Sequence, residues 1–95
     1  MTASRPGDPD REQRVGSSAW LPINTVRELG AGLRKARKAL GLTQADLALA
    51  AGVGLRFVVD LEAGKPTVQL ELVLRVIEAL GGSLQLHDLP SEATA

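Results

Sequence analysis

The sequence contains no cysteine and no tyrosine, one tryptophan (Trp20), one phenylalanine (Phe57) and one histidine (His87). Without cysteine there is no disulfide to staple a small fold, and no thiolate to bind metal or attack a substrate. With a single histidine, an all-protein zinc site lacks ligands, and a serine nucleophile would depend on that one imidazole as its base. The expectation is a non-enzymatic chain with no metal and no cofactor. No apolar run approaches the ~20 residues of a membrane span. The start, MTASRPGDPDREQRVGSS, lacks the apolar stretch of a signal peptide. A cytoplasmic protein with no membrane partner is therefore expected. An excess of one charge is missing too, since 11 Lys+Arg are balanced by 11 Asp+Glu. What the 95 residues do hold is 44% apolar residues, mostly Leu, Val and Ala. That is enough for one small all-α domain with an aliphatic core.

Residues 1–19 mix Pro6, Gly7, Pro9 and Gly16 with alternating charges, and bury too little to offset their ordering entropy. They read as a flexible tail, residues 20–89 as the domain, and 90–95 as a second tail. Within the domain, glycines punctuate helices. Thr25-Val26-Arg27-Glu28 has the form of a capping box, followed by an apolar stripe of Val26, Leu29, Leu33, Ala36 and Leu40. Gly30 and Gly32 weaken this helix and Gly41 ends it. Thr43-Gln44-Ala45-Asp46 opens a second helix that stops at Gly52. A third runs from about Leu55 to Glu62. Thr67 is the expected cap of a fourth, over about Val68 to Leu80.

Ser83-Leu84-Gln85-Leu86-His87 alternates polar and apolar residues, the period of a strand. A lone strand leaves its backbone groups unpaired. The natural partner is the same segment of a second copy. The fourth helix agrees: Leu70, Leu72, Val73, Leu74, Val76, Ile77 and Leu80 cover more than one face. The surplus fits a subunit interface through Leu74 and the strand. The alternative is that the alternation is a chance of loop sequence and the extra leucines are core.

Thr43 to Glu62 has the local grammar of a helix-turn-helix: capped helix, glycine turn, second helix. Ala48 is small where the helices cross, Gly52 supplies the turn, and Val53 and Val58 plug the angle. Any small helical bundle can contain such a turn. The run LGLTQADLALAAGVGLRFVVDLEAGKPT, however, resembles the Xre (lambda-repressor-like, Cro/C1-type) helix-turn-helix family. The match rests on Leu42-Thr43-Gln44, Leu47-Ala48, Gly52-Val53, Val58, Leu61-Glu62 and Gly64-Lys65. A fourth helix followed directly by a short strand is most similar to the HipB-type antitoxins. The resemblance implies a lambda-repressor-like bundle with one C-terminal β-strand pairing across a homodimer. It also implies binding to double-stranded operator DNA, a HipA-like serine/threonine-kinase toxin as partner, and repression of the chain's own operon.

The resemblance also implies residue roles. Thr43 and Gln44 meet a phosphate at a helix N-terminus. Gly54, Leu55, Arg56, Val59 and Asp60 lie on the recognition helix, with Arg56 as the reader of guanine. Lys65 touches the backbone from the following loop. Phe57 packs on the sugar-phosphate or on the second helix. Around these, the first helix holds Arg27, Arg34, Lys35, Arg37 and Lys38 against Glu28. Arg34 and Lys38 are candidate phosphate contacts, while a solvated basic face is an equal reading. Trp20 reads as a staple on the bundle or an anchor for a partner. Two other functions stay open: an ordinary Xre-type repressor without a toxin, and a protein-binding module without DNA affinity, which zero net charge and an apolar recognition helix allow.

Overall fold

The computed structural model describes residues 20–91. The expected tail at 1–19, and most of that at 90–95, lie outside the described residues. Among these residues the chain is all α: α1 (Val26–Ala39), α2 (Gln44–Ala51), α3 (Leu55–Glu62) and α4 (Leu70–Ala79). α2 packs against both α3 and α4, and α1 packs against α3.

The helix starts obey the capping chemistry. Thr43 Oγ1 accepts the Asp46 N–H at 3.0 Å, and the Asp46 carboxylate accepts the Thr43 N–H at 3.0 Å. That satisfies two donors that the helix geometry orphans. At α1 the box is displaced by one residue. Thr25 Oγ1 accepts the Glu28 N–H at 3.0 Å, but the Glu28 carboxylate takes the N–H of Asn24 at 2.6 Å rather than that of Thr25.

Between α2 and α3 the chain turns at Gly52, whose φ of +72° lies in the left-handed region. The turn is closed by Gly52 N–H to the Leu49 carbonyl at 3.2 Å and Val53 N–H to the Ala48 carbonyl at 3.0 Å. This is the Schellman arrangement, which satisfies two orphan carbonyls and reverses the chain at once.

Leu33, Leu47, Ala48, Val58, Leu61, Val73, Val76 and Ile77 form the core. Each of the four helices contributes to it from one face. The stripe of α1 is rotated from its expected phase. Leu33 is buried, but Val26 and Leu40 are exposed, and Arg37 takes an inward place. Gly30, expected only to weaken α1, is a packing residue. A Cβ there would run into the Leu61 carbonyl oxygen and stand 2.9 Å from that of Glu62. The α1 and α3 backbones meet at this point, and no larger residue fits without moving one of them.

Two expectations about the C-terminal part change. α4 begins at Leu70, later than Val68, and its cap is Gln69, which makes no side-chain capping bond, rather than Thr67. Val68 is half-buried against the core, so the chain is spent crossing it before helical geometry begins. The Ser83–His87 strand is not formed: these residues are irregular, with no backbone bond to another segment among the described residues. A strand exists by virtue of its ladder, and the helical fold supplies no partner within one chain. Leu84 and Leu86 remain exposed, as do Leu70 and Leu74 on α4. The staple expected of Trp20 falls to its neighbours, since Leu21 and Ile23 lie over Gly32 of α1. The Trp20 ring instead meets His87 edge-on at 5.1 Å between centroids.

Candidate nucleic-acid interface

The site is assembled around a buried charge. Arg37 is only 7% exposed. Its Nε and Nη2 donate to the two carboxylate oxygens of Glu62 at 2.7 and 3.0 Å, and Nη1 donates to the Leu42 carbonyl at 2.7 Å. This is the bidentate fork that guanidinium and carboxylate form best. Glu62 then accepts the Gln44 side-chain amide at 3.1 Å. One network thus ties the end of α1, the start of α2 and the end of α3. The hydrogen bond from Arg37 to Glu62 raises the guanidinium pKa above its usual value, outweighing burial.

The network accounts for where the expected DNA contacts sit. Gln44 is half-buried, with its amide turned toward Glu62. What this position presents outward is the α2 N-terminus, where the N–H groups of Gln44 and Ala45 have no intrahelical acceptor. Thr43 is exposed beside them, its hydroxyl engaged in the cap. Its backbone N–H and its hydroxyl hold the Asp46 carboxyl below the usual carboxylate range.

On α3, Gly54, Leu55 and Arg56 are exposed while Val59 and Asp60 are half-buried. The inward face carries Val58 and Leu61, with Phe57 packed against the core rather than offered outward. The Arg56 side chain is 84% exposed and its Nε lies 3.3 Å from Asp60 Oδ1. Lys65 Nζ lies 3.6 Å from the other oxygen, Asp60 Oδ2. Lys65 is held over the last turn of α3 by its own N–H, which donates to the Asp60 carbonyl at 3.0 Å. Arg56, Asp60 and Lys65 therefore form one outward cluster with a surplus of one positive charge.

Arg34 and Lys38 are exposed on α1. At about 100° per residue, they and Arg27 stand ~60–100° round the helix from Arg37. Arg27 also lies against Gly64, the residue before Lys65. The basic surplus of α1 is smaller than composition indicates, because Arg37 is consumed inside. Sequence reasoning missed the Arg37–Glu62 pair as a unit. The signal was there: Arg37 comes four residues after Leu33, and Glu62 four after Val58, so two opposite charges share the inward phase of two helices.

Among the described residues no group of His, Asp and Glu could hold a metal ion, and no helix is long and apolar enough to cross a membrane. Two short helices at a glycine turn, the second with an exposed arginine and flanked by lysine, define a helix-turn-helix DNA-binding regulator. The chain matches the helix-turn-helix family HTH_3 over residues 33–86 and belongs to that family. It is 53% identical over 64 residues to an uncharacterized HTH-type transcriptional regulator, y4mF, of Sinorhizobium fredii (strain NBRC 101917 / NGR234), spanning 67% of this chain and 84% of that one. The clp gene regulator ClgR from C. glutamicum is 41% identical, with a TM-score of 0.56 over 66% of this chain and 82% of that one. A HipB–O4 20mer complex superposes with a TM-score of 0.68 at 21% identity, over 75% of this chain and 100% of that one. A HipA–HipB–O2–O3 complex gives the same TM-score of 0.68, also at 21% identity. At that identity the likeness to HipB is one of fold.

Proposed function

We propose that the chain is a dimeric, HipB-type antitoxin that represses its own operon and neutralises a HipA-like kinase toxin. The supporting observation is the fold likeness to HipB, which spans that chain completely and 75% of this one. The leftover apolar surface agrees. Leu70 and Leu74 on α4, and Leu84 and Leu86 beyond it, are exposed in one chain and would be covered by a second copy. Pairing of Ser83–His87 across the two-fold axis would give Leu84 and Leu86 a common face and the backbone its missing ladder. Operator DNA is met by α3 through Arg56, Leu55 and Val59, with Thr43, Gln44, Lys65, Arg34 and Lys38 on phosphates. Such a protein works in the cytoplasm and needs no catalytic residue of its own.

A second reading has its own support. The higher identities are to proteins named only as regulators, at 53% and 41%. In that reading the chain represses without a toxin. Co-expression with the product of the adjacent gene, followed by size exclusion and a growth assay, separates the two. Co-elution with a kinase-like protein whose toxicity the chain suppresses supports the antitoxin; no co-elution leaves the plain repressor. Binding to duplex DNA from upstream of the chain's own gene tests the part both share. Arg56→Ala should relax preference at one base pair, at a cost of about 1–3 kcal/mol. Equal affinity for that DNA and a scrambled duplex refutes both.

A further inference from the structure

Asp60 breaks three local rules. α3 spans Leu55–Glu62, with Arg56 in its first turn and Asp60 in its last. The helix dipole favours the reverse, acid at the N-terminal end and base at the C-terminal end. The i,i+4 order, base before acid, is also the weaker of the two. Finally, a carboxylate on a face that meets DNA opposes every phosphate near it. Yet Asp60 is held between Arg56 Nε at 3.3 Å and Lys65 Nζ at 3.6 Å. Local rules broken together at an outward face mark a functional rather than a structural placement.

We propose that Asp60 is the specificity-determining residue of this interface, acting as a positioning group for Arg56 and a restraint on Lys65. The inference rests on the DNA-binding reading above. A guanidinium that pairs at Nε keeps both terminal nitrogens for a second partner. Those two nitrogens form the fork that matches guanine O6 and N7. Asp60 lies on the Nε side of the guanidinium, at ion-pair distance, and so draws the side chain to one side while leaving the fork free. On an operator, Arg56 reaches guanine and keeps its carboxylate. On other DNA, Arg56 and Lys65 must leave Asp60 before they can neutralise phosphates, and that exchange returns little. Asp60 thus lowers affinity for every sequence except the one Arg56 reads, which is how discrimination arises from a repulsive element.

The test uses the full chain with Asp60→Ala and the near-isosteric Asp60→Asn. Each is measured against a duplex selected by the wild-type chain from a randomised pool, and against a scrambled duplex of the same length, over a salt series. Thermal melts followed by circular dichroism verify that both variants fold. In Asp60→Ala, affinity for the scrambled duplex should rise and the operator-to-scrambled ratio should fall roughly ten-fold. The slope of log K against log salt on scrambled DNA should steepen by about one to two phosphates, as two cations are released. Asp60→Asn keeps an acceptor for Nε without the charge. It should gain affinity for scrambled DNA as the alanine variant does, yet retain part of the discrimination. Unchanged ratios in both variants overturn the inference. A ratio that falls through lost operator affinity alone also overturns it, because Asp60 would then be a base contact itself. A wild-type chain with no preferred duplex overturns the DNA-reading function, and this role with it.

Discussion

Replacing Glu62 with alanine removes the acceptor of three hydrogen bonds while leaving Arg37 in place. The Arg37 side chain is 8% exposed, so little water reaches it in place of the lost carboxylate, and within the protein the Leu42 carbonyl alone remains to it. Breaking a buried ion pair from one side costs about 3–5 kcal/mol. A domain of this size is stable by only ~4–10 kcal/mol. Glu62→Ala should therefore lower Tm by about 12 °C or more, at ~4–8 °C per kcal/mol, and shift the urea midpoint correspondingly. The double variant Arg37→Met/Glu62→Leu removes both charges and refills the volume. It should be as stable as the wild type, or up to ~4 kcal/mol more so. With the single variants Arg37→Met and Glu62→Leu added, a double-mutant cycle gives the coupling. The double variant should still bind operator DNA more weakly, because Gln44 has lost the group that holds its amide. If Glu62→Ala costs less than about 1 kcal/mol, well below the range for a buried pair, the pair is not organising the three helices and the reasoning fails.

Gly30→Ala should cost about 1–3 kcal/mol in thermal melts, because its Cβ meets backbone of α3. Gly32→Ala should be neutral or stabilising by up to about 1 kcal/mol, since its Cβ meets the flexible end of exposed Leu21 at 3.3 Å; equal losses at both sites would refute the close approach of α1 and α3. Asp46 titrates below its usual value in the folded chain, so its contribution is present above the unfolded pKa and is lost as pH falls through the folded one. Melts recorded from neutral to acid pH should show Asp46→Asn losing less stability than wild type on acidification, and parallel curves would refute the capping role. Leu74→Lys together with Leu86→Lys should leave the monomer fold intact and abolish association in sedimentation at micromolar concentration; an unchanged mass would place the dimer contact elsewhere.

The parts of the fold legible in the sequence were those settled within a few residues. Thr43 and Asp46 cap α2 by chemistry that spans three positions, and Gly52 turns the chain where a left-handed residue is needed. The inward side chains around that turn could be read from spacing and size, as with Ala48 at the crossing and Val58 and Leu61 on α3. Contacts made across the fold were not legible. Arg37 and Glu62 lie 25 positions apart. Counting Arg37 as a surface charge placed Leu40 in the core stripe, where the structure leaves it exposed. Gly30 looked like a helix weakness because the carbonyls it must clear belong to another helix. The late start of α4 arises the same way, from Val68 being drawn onto the core. At the interface, the residue types on α3 and the i,i+4 spacing of Arg56 and Asp60 were legible, but the approach of Lys65 to Asp60 needed the loop geometry after Gly64.

The network that joins Arg37, Glu62 and Gln44 has a mechanical meaning. It fastens α2 to the far end of α3, while Gly52 fastens their near ends and Gly30 clamps α1 onto α3. On the proposed DNA-binding reading, the two helices of the motif, fastened at both ends, approach the duplex as a wedge of fixed angle. A reading head that cannot flex leaves any mismatch in groove width or curvature to be absorbed by the DNA. Base pairs that no side chain touches would then contribute to recognition through how readily they bend, twist or narrow. With few hydrogen-bonding readers on α3, stiffness in the protein becomes a source of information, measured in the compliance of the duplex.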